Sequence, residues 1–159
     1  METDKYSFEL KGDLSELKTL NRHLDHFGQV NGLSEVFISE INICLDELFT
    51  NIALYGFKDE LKHIIRFNIY MDGNALILNI EDYGLPFNPL LKKDPKLPAD
   101  LDHAEIGGLG IHIVKKLMDD IEYERKRGRN RLTLKKFLHA SGHLYKSDKA
   151  GNTPSNYFA

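Results

Sequence analysis

A single cysteine, Cys44, sits among apolar neighbours, so no internal disulfide can brace this chain. No apolar run approaches the roughly 18 to 20 residues that cross a bilayer, and no transmembrane helix is expected. The opening METDKYSFEL lacks the basic-then-apolar profile of an export signal. Together these absences predict a cytoplasmic protein. A surplus of charge is missing too: the net charge is −3, which gives no electrostatic basis for direct nucleic-acid or membrane binding. Several common sources of chemistry are lacking. There is no GxxxxGK[ST] loop, no GxGxxG after a strand, and no Cys/His or Ser/His/Asp arrangement. His23 and His26 lie one turn apart, and His139 and His143 bracket the start of the tail, but neither pair has the further ligands that zinc needs. No internal repeat is present.

What is present fits one ordinary globular domain: 159 residues, 42% hydrophobic and 28% charged. Residues 5–10 alternate weakly, as a first strand does. Leu14, Leu17, Leu20, Leu24 and Phe27 then recur at helical spacing. A second helix is expected from Ser34, a fitting N-cap, to Tyr55, with Gly56 as a left-handed C-cap. Two alternating segments around Asp72-Gly73-Asn74 predict a β-hairpin, because these residues tolerate the positive φ of a tight turn. From Gly84 to Gly108 the pattern dissolves among Pro86, Pro89, Pro95 and Pro98, giving a loop of the length used by lids. A helix follows near Gly110, then strands at about 121–126 and 131–138, joined through Arg127-Gly128-Arg129-Asn130, an arginine cluster read as a solvated turn. Residues 139–159 form a polar tail. The order β-α-α-β-β-lid-α-β-β predicts an α+β, two-layer sandwich: a mixed, mostly antiparallel sheet with helices on one face.

Three places in this outline carry chemistry. On the second helix Ile41, Cys44, Leu45, Leu48, Phe49 and Ile52 take one broad side, and Asp46, Glu47, Thr50 and Asn51 the other. That polar side reads either as a solvated face or as the wall of a cleft. Ile43, Leu54 and Tyr55 within or beside it point to a covered face. Glu47 and Asn51 stand only about 40° apart, and such oxygen donors suit Mg²⁺, which relies on substrate phosphates and water for its remaining ligands. Asp82 falls in phase with Leu76, Leu78 and Ile80, on the side that alternation assigns to the core. A carboxylate there either caps the turn at Gly84 or waits for a ligand donor, and Gly84 and Pro86 leave room for a flat heterocycle. Gly107, Gly108 and Gly110 precede or open the next helix, where free N–H groups and the helix dipole favour phosphate.

Taken together, LDELFTNIALYGF, EDYGLPF and EIGGLGIHIVKKLMDDIEYERKRGRNRLTL resemble the E-x-x-x-N helix, the D-x-G-x-P-F box and the second glycine box of the gyrase, chaperone, histidine-kinase and mismatch-repair ATP-binding superfamily, the Bergerat fold. The resemblance covers about residues 5–138 and, within the superfamily, is greatest to anti-sigma-factor serine kinases. It implies ATP and Mg²⁺ as cofactors, with Glu47 as general base and Asn51 as Mg²⁺ ligand. Asp82 contacts adenine with Gly84 and Phe87 of its box beside it, and Gly107, Gly108, Leu109 and Gly110 lie at the phosphates. Thr133 is placed near adenine. The implied reaction is phosphoryl transfer to a serine or threonine of an anti-anti-sigma, STAS-type partner by a protein that also sequesters a sigma factor and can homodimerise. Two departures stand out. Tyr55 occupies a site where many relatives carry a basic residue or histidine, and the lid has Lys92, Lys93 and Lys96 but no arginine. The alternative reading is a non-catalytic module switched by ATP occupancy.

Overall fold

In a computed structural model, residues 4–93 and 108–139 are described. Residues 94–107 of the loop expected to be a lid, including Lys96 and Gly107, and residues 140–159, expected to be a tail, lie outside them. The elements run β1 (Tyr6–Lys11), α1 (Leu17–Val30), α2 (Glu35–Tyr55), β2 (Ile64–Asp72), β3 (Ala75–Asp82), α3 (Gly108–Leu117), β4 (Asp120–Lys126) and β5 (Arg129–Phe137). Short 3-10 turns stand at Leu14–Glu16 and Pro89–Leu91.

Local chemistry accounts for the breaks between these elements. Ser34 caps α2 by accepting from the Phe37 N–H at 3.2 Å. The β2–β3 hairpin closes through Gly73 at φ +57°, as its sequence predicts. The β4–β5 hairpin turns through Arg127 at φ 52° and Gly128 at φ +77°, the mirror-image turn that matches strand twist. Gly56 differs from expectation: its φ of −73° is right-handed, so α2 does not end in a left-handed cap. Gly56 is used instead for close approach, since its carbonyl accepts from the Leu85 N–H at 2.6 Å. That bond ties the end of α2 to the first turn of the lid.

The sheet order is β1-β2-β3-β5-β4, and every pairing among the described residues is antiparallel. The parallel pair allowed by a mixed sheet is therefore not found; the chain leaves β3, passes through the lid and α3, and returns at the edge strand β4. β5 then inserts beside β3. This places the carboxyl end of β3 opposite the start of β5, with Asp82 in register with Asn130.

One face of the sheet is apolar and buried. Ile65, Phe67 and Ile69 of β2, Leu76, Leu78 and Ile80 of β3, and Leu132 and Leu134 of β5 pack under Leu24, Leu45, Leu48, Phe49, Ile111 and Val114. Each such side chain contributes about 1.5–3 kcal/mol by leaving water. The other face is a polar ladder. Glu9, Arg66, Glu81, Arg131 and Glu124 form one rung of alternating sign across all five strands. Within it Arg66 pairs with Glu9 at 2.6 Å and Arg131 with Glu81 at 2.7 Å, while Arg129 lies 3.5 Å from Glu81. The arginine cluster read as a solvated turn is thus partly structural, because Glu81 is buried and two guanidiniums compensate it. Lys136, buried on the helix side, pairs with Glu40 and donates to the Leu117 carbonyl, both at 2.7 Å. It clasps α2 and the end of α3 to the sheet. Helices on one face and a wet sheet on the other are the expected two-layer sandwich.

Candidate nucleotide-binding site

A cavity of about 430 Å³ opens between the second half of α2, the adjacent ends of β3 and β5, and the start of the lid. Leu48 and Ile52 of α2 with Ile80 and Leu132 of the sheet give it apolar walls, and Leu85, Pro86 and Phe87 close one side. Such an apolar cavity suits a flat ring. Asn51, Asp82 and Asn130 bring polar groups to it from three elements, beside Tyr55, Tyr123 and Lys92.

Asp82 is 6% exposed. Its Oδ1 accepts from the Gly84 N–H at 2.8 Å and from Asn130 Nδ2 at 3.0 Å. Its second oxygen accepts from no described residue, and no cation pairs with the carboxylate among the described residues. Oδ1 caps the turn at Gly84, and Oδ2, with no donor among the described residues, retains acceptor capacity. Gly84 is required here by space. A Cβ on it would run into the Gly56 carbonyl and stand 2.8 Å from Asp82 Oδ1.

Asn130 completes this corner. Its Oδ1 accepts from Arg125 and from the Tyr123 hydroxyl, each at 2.7 Å, so its amide nitrogen must face Asp82 and the Leu85 carbonyl, 2.9 Å away. Arg125 also donates to the Gly84 carbonyl at 3.0 Å. The guanidinium thus braces the backbone and the asparagine while Asp82 has no charged partner among the described residues. Asn130 is absent from the sequence-derived site because the last strand is expected to start at Arg131, and Tyr123 and Arg125, on the strand expected at 121–126, carry no local signal of a site. Extending the alternation of Leu134 and Leu132 by two residues finds Asn130. The same phase removes Thr133, whose hydroxyl donates to Asn79 at 2.8 Å on the polar face of the sheet, away from the cavity. Its assignment near adenine is corrected on that ground.

Other sequence-derived residues divide by position. Asn51, Tyr55, Asp82 and Phe87 line the cavity, as does Lys92 of the lid. Glu47 does not line it; it stands one turn before Asn51 and faces α3. A Cβ on Gly110 would collide with the Glu47 carboxylate, so glycine at this helical position serves close approach. Gly110 therefore seats Glu47, whereas the sequence assigns it to phosphate. Gly108 opens α3, Leu109 follows with 45% exposure, and Gly107 lies outside the described residues. The arrangement sets a carboxylate beside the amino end of a helix, next to a slot with one free acceptor. Among the described residues no three His, Cys, Asp or Glu side chains converge as a metal cage, and no helix is long and apolar enough to cross a membrane.

Known proteins resemble this chain in sequence and in fold. Residues 10–136 match the model of the histidine kinase-like ATPase domain. The chain is 30% identical over 94 residues to the serine/threonine-protein kinase BtrW of Bordetella bronchiseptica, covering 59% of this chain and 66% of that protein. It is 30% identical over 96 residues to the serine-protein kinase RsbW of Bacillus mycoides, covering 57% and 59% respectively. The chain thus spans less than two thirds of either curated relative. Among solved structures, the RsbU and RsbW domains of Rv1364c from Mycobacterium tuberculosis align with a TM-score of 0.57 at 14% identity, over 84% of this chain and 32% of that one, a likeness of fold. With residues 10–136, four fifths of its length, matched, the chain belongs to the histidine kinase-like ATPase domain family.

Proposed function

We propose that the protein is an ATP-dependent serine/threonine kinase of the anti-sigma type. It phosphorylates a STAS-type anti-anti-sigma protein and holds a sigma factor, in the cytoplasm and as a homodimer. The observation that carries the nucleotide half of this reading is Asp82, buried with one oxygen unclaimed at the end of an apolar slot. An adenine base has an exocyclic amine to donate to it. The kinase half rests on Glu47, held against Gly110 at the amino end of α3 and one turn from Asn51. A base in that place accepts the proton of an incoming hydroxyl, and the amino end of α3 faces the charge of the phosphates. Asn51 supplies an amide oxygen suited to Mg²⁺, which when bound would neutralise phosphate charge. Catalysis then comes chiefly from positioning.

Incubating the purified chain with γ-labelled ATP, Mg²⁺ and purified STAS-type proteins tests the proposal. Label moves to one serine or threonine of one such protein; binding of ATP with no transfer to any of them refutes the kinase half. A second reading, a module switched by nucleotide occupancy alone, is favoured by Tyr55, which puts a neutral ring on the cavity wall. It predicts that latter outcome.

Gly110 gives a sharper check. Gly110→Ala pushes the Glu47 carboxylate from its seat, and initial-rate assays show transfer slowed at least about tenfold. Thermal melting is held or raised, because alanine favours a helix over glycine by about 1 kcal/mol. Unchanged turnover would separate Glu47 from the reaction.

A further inference from the structure

Outside the cavity, α2 carries three apolar side chains on one line, Val36, Ile43 and Leu54, that nothing in the described chain covers. Val36, Ile43, Glu47, Thr50 and Leu54 fall within about 40° of one line along the helix, and Val36 to Leu54 spans about 27 Å. The sequence leads one to expect Ile43 and Leu54 beneath other parts of the chain, but they are 48% and 50% exposed, and Val36 is 65% exposed. Scattered apolar residues on a surface need no explanation; three on one line, two of them flanking the candidate base, do.

The chemistry along this crest defines its occupant. α2 holds four acids, Glu35, Glu40, Asp46 and Glu47, and no base. Only Glu40 has a cation, Lys136, among the described residues. On the flank toward α1 and away from the crest, Asn21 Oδ1, Asn42 Oδ1 and Asp46 Oδ1 are buried acceptors with no donor among the described residues. Burial holds the Asp46 carboxyl above the ordinary carboxylate range, as it does an acid without a cation. The occupant therefore brings apolar side chains for the crest and lysine or arginine to answer the excess of acids on α2. A second copy meeting it symmetrically would set acids against acids. Continuity with Glu47 decides the rest, since whatever covers Ile43 and Leu54 places its own residues over the carboxylate between them.

We infer that the α2 crest is the docking surface for the protein bearing the acceptor hydroxyl, gripped by Ile43 and Leu54 on either side of Glu47 and by basic residues that answer the acids of α2. The inference rests on the kinase reading above and names how its substrate is held. Only a protein so docked presents a serine or threonine to the base, which makes the crest a filter for substrate as well as a handle.

The test uses the full chain and the STAS-type protein that wild type labels from ATP, with the concentration of that protein varied. Ile43→Asp and Leu54→Asp each raise KM for the protein acceptor by about tenfold or more, with kcat at saturation and ATP affinity unchanged. Ile43→Ala gives a smaller rise, and added salt raises the wild-type KM by screening those basic residues from the acids of α2. An unchanged KM in both Asp variants overturns the docking surface and leaves the kinase reading standing. Failure of wild type to label any STAS-type protein overturns the kinase reading, and the docking surface with it. A dimer in sedimentation that Ile43→Asp dissociates at unchanged KM assigns the crest to a second copy and also overturns the inference.

Discussion

Glu47→Gln lowers the rate of phosphoryl transfer by about 10²- to 10⁴-fold while ATP affinity stays within about threefold of wild type. The substitution keeps the size and hydrogen-bonding reach of the side chain but removes its ability to accept a proton. Glu47 does not line the slot that takes the base, so its loss leaves the nucleotide held. Single-turnover transfer to the partner protein, paired with fluorescence titration of a labelled ATP analogue, separates the two effects. A variant that binds and transfers as wild type does removes Glu47 as the base. One that fails to bind moves Glu47 into the nucleotide site itself.

Asp82→Asn weakens ATP binding by about ten- to hundredfold, the worth of one buried hydrogen bond to a charged acceptor together with the clash left behind. The replacement amide still accepts from Gly84 and Asn130 through its oxygen, so the corner keeps its shape. The group turned toward the cavity becomes an N–H donor facing the donor of adenine. Two donors meet across a buried gap. Melting temperature changes little by comparison, because no cation loses its partner among the described residues. Asp82→Ala is the less informative variant, since it also strips the cap from the Gly84 turn.

Much of this was legible from residue patterns because the signals are local. Asp72-Gly73-Asn74 announces a hairpin, Ser34 a helix start, and the in-phase position of Asp82 a buried acid, each from a few adjacent residues. The apolar phase of Leu76, Leu78 and Ile80 carries directly into the cavity wall. What was missed depends on partners distant in sequence. Gly56 looked like a left-handed cap, whereas its role comes from Leu85, which reaches its carbonyl from the far side of the hairpin. Thr133 and Asn130 exchange roles because a strand shows alternate residues to opposite faces, and a start misplaced by two residues hides the one that matters. Gly110 reads as a phosphate glycine until α2 is laid against α3 and Glu47 fills the space a Cβ would need. Ile43 and Leu54 were recognised as out of place in a polar sector. Alternation and periodicity say that such residues want cover, and only the assembled surface shows that this cover is not supplied by the described chain.

Titration calorimetry of ATP against GTP, each with Mg²⁺, tests the central claim most directly, because the two bases oppose one another at the atom that would meet Asp82. Adenine offers an amine there and guanine a carbonyl oxygen, which a buried carboxylate repels. The account predicts saturable binding of ATP, at least about tenfold tighter than GTP, with that preference lost in Asp82→Asn. Equal affinity for both nucleotides in wild type, or a preference that survives the substitution, would contradict it.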